Sequence, residues 1–229
     1  MMDLDGPKHG KAAGEGARAL VVLLHGLGAD GNDLISLAPM LEPLLPDTAF
    51  VSPHAPYPCD MAPMGRQWFS LQSREPETML AGVRAAAPIL DAFLDAELAA
   101  HGLGDDRLAL VGFSQGTMTA LHTALRRPRA CAVVVGFSGA LVKPEALAAE
   151  IKSRPPVLLV HGDADEVVPF EAMTAAEAAL QANRVPIATY RRSGLGHGID
   201  QEGLQLGALA LVQYLFPETL PGAGTNRPA

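Results

Sequence analysis

Several stretches of this chain stay apolar without interruption for the length of a strand: Ala19–Leu24, Leu108–Val111, Cys131–Val135 and Pro156–Val160. A strand with one wet face alternates apolar and polar residues. A continuous apolar run must be covered on both faces. That restricts the chain to a mainly parallel sheet lying between layers of helix. The intervening segments fit, with helical patterns from Asn32 or Asp33 to about Leu41, over Glu77–Ala100, Thr117–Leu125, residues 144–152, Phe170–Asn183 and Glu202–Phe216. Pro88 should kink or divide the second of these. Two shorter runs, Thr48–Ser52 and Ile187–Tyr190, complete the strands. Strand and helix alternate from end to end, which predicts the α/β class: a mostly parallel, doubly wound sheet with helices on both faces.

No repeat and no linker divides the 229 residues into two cores, so a single domain is expected over 19–216. Residues 1–18 carry no apolar pattern and read as a flexible N-terminal arm. The Pro/Gly-rich residues 217–229 read as a disordered C-terminal tail. The net charge is -8, from 25 acidic against 17 basic side chains, and the bases form no cluster. Nucleic acid and anionic membrane surfaces, which need a positive face, are therefore poor partners. No stretch is long and apolar enough for a membrane span, and residues 1–18 lack the apolar region of a secretory signal. The expectation is a soluble, cytoplasmic protein without membrane insertion. Cys59 and Cys131 make neither a C-x-x-C pair nor a metal-type spacing. The oligomeric state is open, a homodimer included.

Chemistry enters at Gly112-Phe113-Ser114-Gln115-Gly116, between an apolar run and a helical segment. A serine between two glycines at a strand-to-helix junction makes a sharp turn. The turn exposes the hydroxyl above the sheet at a helix N-terminus, where negative charge is favoured. Serine is a weak nucleophile unless an imidazole accepts its proton, and the imidazole needs a carboxylate on its other nitrogen. In a parallel sheet such groups gather at the carboxyl ends of strands. Those ends carry His25, His161, Asp163 and Asp165, with His197 just beyond the last strand. His197 lies in a Gly-rich loop able to reach back over the sheet and is the expected base. His25 and His161 directly end strands, where backbone hydrogen bonds more often hold them. The carboxylate is Asp163 or Asp165.

An acyl-transfer site also needs backbone N–H groups aimed at the developing oxyanion. The Gln115 N–H, next to the serine, is one. The loop after the first strand, His25-Gly26-Leu27-Gly28, should supply the second from Leu27. The same loop fits the dinucleotide pattern G-x-G-x-x-G through Gly26, Gly28 and Gly31. That reading requires an acid at the end of the second strand. The strand ends Phe50-Val51-Ser52-Pro53, without one.

Taken together, Leu24-His25-Gly26-Leu27-Gly28, Gly112-Phe113-Ser114-Gln115-Gly116, His161-Gly162-Asp163-Ala164-Asp165-Glu166-Val167-Val168-Pro169 and Gly196-His197 resemble the phospholipase/carboxylesterase family. This group of α/β-hydrolases includes acyl-protein thioesterases and small bacterial carboxylesterases, and the bacterial branch looks closer. The resemblance covers roughly residues 19–216, and Trp68-Phe69 looks like a Trp-Phe pair of the family. It implies a serine carboxylesterase working through an acyl-enzyme, with Ser114 as nucleophile, Asp165 as the acid, His197 as base, and Leu27 and Gln115 as oxyanion donors. Thioesters or lysophospholipids are alternative substrates on the same machinery. The family needs no cofactor and no metal, and its partners are small-molecule esters or thioesters. Thr117 departs from the pattern, since many members carry a second glycine there; little effect on chemistry is expected.

The Pro-rich segment Pro53–Pro76 is long for a loop in a compact domain, and such loops are usually functional. Its apolar residues Met61, Met64, Trp68, Phe69 and Leu71 are expected to form one wall of the substrate pocket, with the alternative that they pin the long loop to the core, an equal reading for Trp68 and Phe69. Methionine adapts to varied ligands.

Overall fold

The computed structural model describes residues 3–219. In chain order its strands are β1 Lys8–Gly10, β2 Ala19–Leu24, β3 Thr48–Val51, β4 Tyr57–Pro58, β5 Arg66–Gln67, β6 Leu108–Phe113, β7 Val133–Phe137, β8 Val157–Gly162 and β9 Ile187–Arg192. The helices are α1 Gly31–Leu34, α2 Ala38–Leu41, α3 Pro76–His101, α4 Gln115–Ala124, α5 Leu147–Glu150, α6 Glu171–Ala182 and α7 Gln201–Leu215. Seven strands form one sheet in the order β1-β3-β2-β6-β7-β8-β9. All its pairs are parallel except β1 with β3. The remaining two, β4 and β5, make a small antiparallel hairpin inside the long Pro-rich segment.

The uninterrupted apolar runs do what their composition requires. Every residue of β2 is buried. Its even-numbered side chains, Leu20, Val22 and Leu24, pack with residues of α3, α4 and α6 on one face. Its odd-numbered ones, Ala19, Val21 and Leu23, pack with α1, α2 and α7 on the other. The sheet is thus covered on both sides, the α/β-hydrolase arrangement. Strand order reverses direction between β2 and β6, so their carboxyl ends flank a crevice, the position at which open α/β sheets bind ligands.

Three local expectations need correction. The segment 1–18 is not simply a loose arm: Lys8–Gly10 forms β1, extending the sheet by pairing with β3 through Lys8↔Val51 and Gly10↔Ala49. Its anchor is chemical, because the Lys8 ammonium donates to both Glu97 oxygens at 2.6 and 2.8 Å. The helix expected over 32–41 is broken into two single α-turns joined and followed by 3-10 turns. Pro39 and Pro43 each lack the N–H a continuing helix would use. By contrast, α3 runs on through Pro88 undivided. One missing N–H is tolerated there because Val83, Ala86, Leu90 and Leu94 on either side are fully buried in the core. Of the tail, Pro217–Thr219 forms a 3-10 turn; the rest, 220–229, lies outside the described residues. Among the described residues no helix is long and apolar enough to cross a membrane.

Candidate active site

Ser114 follows β6 and occupies φ 52°, ψ −117°, a region of backbone space that non-glycine residues avoid. Two glycines make the turn possible by close approach. A Cβ on Gly112 would stand 2.5 Å from the Thr117 nitrogen, and one on Gly116 would stand 1.8 Å from the Leu24 carbonyl oxygen. Both obstacles are main chain and cannot swing aside. Gly116→Ala is therefore expected to destabilise the protein by about 3 kcal/mol or more, the upper range for overpacking. A urea melt would measure it, and a loss under about 1 kcal/mol would show that the elbow can relax.

The serine hydroxyl does not stand alone. His197 Nε2 lies 3.0 Å from Ser114 Oγ, and His197 Nδ1 lies 2.8 Å from Asp165 Oδ2. Because a carboxylate only accepts, Nδ1 carries the proton and Nε2 offers its lone pair to the serine. The other carboxylate oxygen, Asp165 Oδ1, accepts from the Val167 and Val168 backbone N–H groups, each at 2.9 Å. Burial pushes the Asp165 carboxyl up, but the bonds from His197, Val168 and Val167 outweigh it and hold the group below the ordinary aspartate value. The loop bearing His197 is itself tied down: Ser138 Oγ donates to the Gly198 carbonyl at 3.2 Å, and the Ala164 N–H to the Leu195 carbonyl at 3.0 Å. The Phe113 ring lies 4.9 Å from the imidazole, tilted by 44°.

Asp163 and His25 are occupied elsewhere, while His161 contacts Asp165 itself. Asp163 accepts from the Gly194 N–H at 2.6 Å and from Arg191 Nε at 2.7 Å, which lowers its pKa; it holds the loop rather than the histidine. His25 is fully buried, with Nδ1 2.8 Å from the Gly26 carbonyl and Nε2 accepting from the Ala55 N–H at 3.0 Å. Burial lowers its pKa. His161 turns Nε2 to the Val168 carbonyl at 2.9 Å, so that nitrogen is a donor, and the same nitrogen lies 3.2 Å from Asp165 Oδ2.

The backbone amides of Leu27 and Gln115 are the expected oxyanion donors. Among the described residues, neither the Leu27 nor the Gln115 N–H has a hydrogen-bond partner within the protein. Gln115 opens α4, so its amide adds to the positive end of that helix. Above them opens a cavity of about 350 Å³, lined by Gly26, Leu27, Phe113, Ser114 and His197 at its reactive end. Leu71, Met79, Met118 and Ala172 make its apolar walls, with Val167, Val168 and Pro169, and Arg74 also borders it.

Of the five side chains expected in that wall, the structure brings only Leu71 to the cavity. Trp68 and Phe69 are core residues, 0% and 2% exposed, while Met61 and Met64 project into solvent at 66% and 93%. The reason is the β4–β5 hairpin, which turns residues 61–64 outward and residues 67–69 inward. The missed walls sit beside the motifs already singled out: Phe113 and Met118 flank Ser114, and Val167–Pro169 follow Asp165. Thr117, from which little effect on chemistry is expected, has a structural role. Its hydroxyl donates to the Phe137 carbonyl at 2.9 Å and accepts from the Phe137 N–H at 3.1 Å, stitching α4 to the end of β7. Gly136 and Gly139 make room for it, since a Cβ on either would come within 2.5 Å of the threonine side chain. Among the described residues no three His, Cys, Asp or Glu side chains are grouped to hold a metal ion.

The chain is similar to known proteins in both structure and sequence. Its structure matches that of esterase PE8 with a TM-score of 0.88 and 44% sequence identity, over 93% of this chain and 99% of that one. It is 29% identical to the Escherichia coli esterase YpfH over 88% of this chain and 85% of that protein. It is also 29% identical to acyl-protein thioesterase 1 of Schizosaccharomyces pombe, over 90% and 92% respectively. The family model described as phospholipase/carboxylesterase matches residues 11–209. The chain belongs to the phospholipase/carboxylesterase family, carboxylic ester hydrolases of the α/β-hydrolase fold.

Proposed function

We propose that this protein hydrolyses small-molecule carboxylic esters through an acyl-enzyme, with Ser114 as nucleophile, His197 as general base and Asp165 orienting the imidazole. The observation that carries the reading is the unbroken chain Asp165–His197–Ser114, with links of 2.8 and 3.0 Å, opening into an apolar cavity. In the first half-reaction Ser114 Oγ bonds to the ester carbonyl carbon while its proton passes to His197 Nε2. The carbonyl electron pair moves onto oxygen, where the Leu27 and Gln115 N–H groups receive it. The pair then returns, the bond to the leaving oxygen breaks, and His197 delivers its proton to the alcohol. Water repeats the sequence against the acyl-serine and frees the acid. Asp165 stays ionised throughout and stabilises the imidazolium.

At about 350 Å³ the cavity is near the lower end of the range for small-molecule sites. Its apolar walls suit the acyl chain rather than a charged group. Acyl thioesters are the second reading, favoured by similarity to a thioesterase over nearly its whole length. The chemistry is unchanged except that the leaving atom is sulfur.

A fluorophosphonate should attach to Ser114 and to no other residue, and should abolish turnover of a p-nitrophenyl ester. Labelling at another residue, or full turnover after labelling, would refute the nucleophile. Matched oxygen esters and thioesters of graded acyl length separate the two substrate readings. Turnover of neither class by folded protein would instead favour a non-catalytic binding role.

A further inference from the structure

The segment Arg66–Phe69 carries no reacting group, yet it touches both halves of the amide pair at the crevice. On one side it is laced to the loop after β2. The Gly28 N–H donates to the Arg66 carbonyl at 2.9 Å, and the Arg66 N–H to the Ala29 carbonyl at 2.8 Å. The Trp68 indole Nε1–H donates to the His25 carbonyl at 3.0 Å, two residues from Leu27. On the other side it is laced to Gln115. The Trp68 backbone N–H donates to Gln115 Oε1 at 2.9 Å, and Gln115 Nε2 donates to the Phe69 carbonyl at 2.7 Å. Trp68 and Gln115 are both fully buried.

This arrangement is more than packing requires. A primary amide in the core satisfies itself in many ways, but here both ends of Gln115 grip consecutive residues of one segment. The indole of that segment holds the carbonyl next to Gly26. The two N–H groups come from elements far apart in sequence, and no direct hydrogen bond between the Leu27 and Gln115 backbones sets their separation. A route between them runs from His25 through the Trp68 indole and backbone to the Gln115 side chain. We infer that Trp68, together with the Gln115 side chain, is a positioning residue that fixes the spacing of the two oxyanion donors. The inference rests on Leu27 and Gln115 being those donors.

A spacing device acts on the tetrahedral species and not on the ground state. A trifluoromethyl ketone reports this, because Ser114 Oγ adds to its carbonyl carbon, the π pair moves onto oxygen and the serine proton passes to His197. The matching methyl ketone fills the same cavity largely without addition. In Trp68→Phe a smaller aromatic ring remains and the N–H is lost. Benzothienylalanine at the same position keeps the full indole shape with sulfur in place of N–H, and serves if the phenylalanine variant folds poorly. For either variant, kcat should fall on the order of tenfold, short of the 10² to 10³ for losing a donor outright. Trifluoromethyl ketone affinity should fall by the same factor, with KM and methyl ketone affinity unchanged. Unchanged trifluoromethyl ketone affinity, or an equal loss for both ketones, would overturn the positioning role. Wild-type protein that binds the two ketones equally would instead overturn the oxyanion assignment itself.

Discussion

Ser114→Ala and His197→Ala are each expected to lower kcat by about 10⁶, and the double variant by little more. The geometry explains why the losses do not add. In the proposed mechanism the hydroxyl is useful only because His197 Nε2, 3.0 Å away, can take its proton, and the imidazole only because that hydroxyl is there. Remove either and what survives is the cavity with the two amides proposed to polarise a carbonyl for attack by water. Both variants should stay folded. Ser114 bears only a small side chain, and alanine is no worse suited than serine to its strained backbone. His197 is part-buried on a loop held by the Ala164 main-chain N–H and the Ser138 hydroxyl. Steady-state turnover of a p-nitrophenyl ester, with circular dichroism as the folding control, makes the measurement. Multiplying losses in the double variant, or a single loss below about 10³, would break the claim that the pair acts as a unit.

How far the sequence reveals this molecule depends on whether a feature is set by composition or by partners distant in the chain. The strands were legible because a run such as Ala19–Leu24 has one solution, burial on both faces. The elbow was legible because a serine between two glycines at a strand-to-helix junction is a local pattern; Gly112 is demanded by the turn itself, whereas Gly116 is demanded by the Leu24 carbonyl of the neighbouring strand. The residues Ser114, Asp165 and His197, which the structure brings within hydrogen-bond reach, stood out for a related reason: each ends or follows a strand, and parallel strands bring those ends together. The walls of the cavity were not legible. Met61 and Leu71 look alike in a Pro-rich stretch, and only the β4–β5 pairing sends one to solvent and the other to the cavity. The partner of Trp68 was not legible either, since nothing local shows that its indole meets the His25 carbonyl. The β1 strand was invisible because Lys8–Gly10 is too short and polar to pattern; it is held by β3 and Glu97, both remote in sequence.

Asp165→Asn is expected to lower kcat by about 10⁴, and the surroundings dictate how. Two backbone N–H groups, from Val167 and Val168, point at Oδ1, so the asparagine must present its carbonyl oxygen there. Its NH₂ then takes the place of Oδ2, facing His197 Nδ1. A donor at that point forces Nδ1 to accept, and the imidazole proton moves to Nε2, the nitrogen that should receive the serine's proton. The base is thereby disabled with little change of shape. The new NH₂ would also face the His161 N–H, 3.2 Å from the carboxylate oxygen it replaces. Asp163→Asn is the control: its partners are Arg191 and Gly194, so its cost in kcat should be far smaller. If Asp163→Asn proves the more damaging, the two carboxylates have been assigned the wrong way round. Stability gives a second readout. The folded protein holds the Asp165 carboxyl below its ordinary value, so this group contributes stability above the ordinary aspartate range that is lost as pH falls through its folded value. Asparagine has no such dependence. Wild-type protein should therefore lose stability relative to Asp165→Asn as the pH drops from about 6 towards 3. A difference in melting temperature that stays constant over that interval would mean that the carboxylate is not held as described.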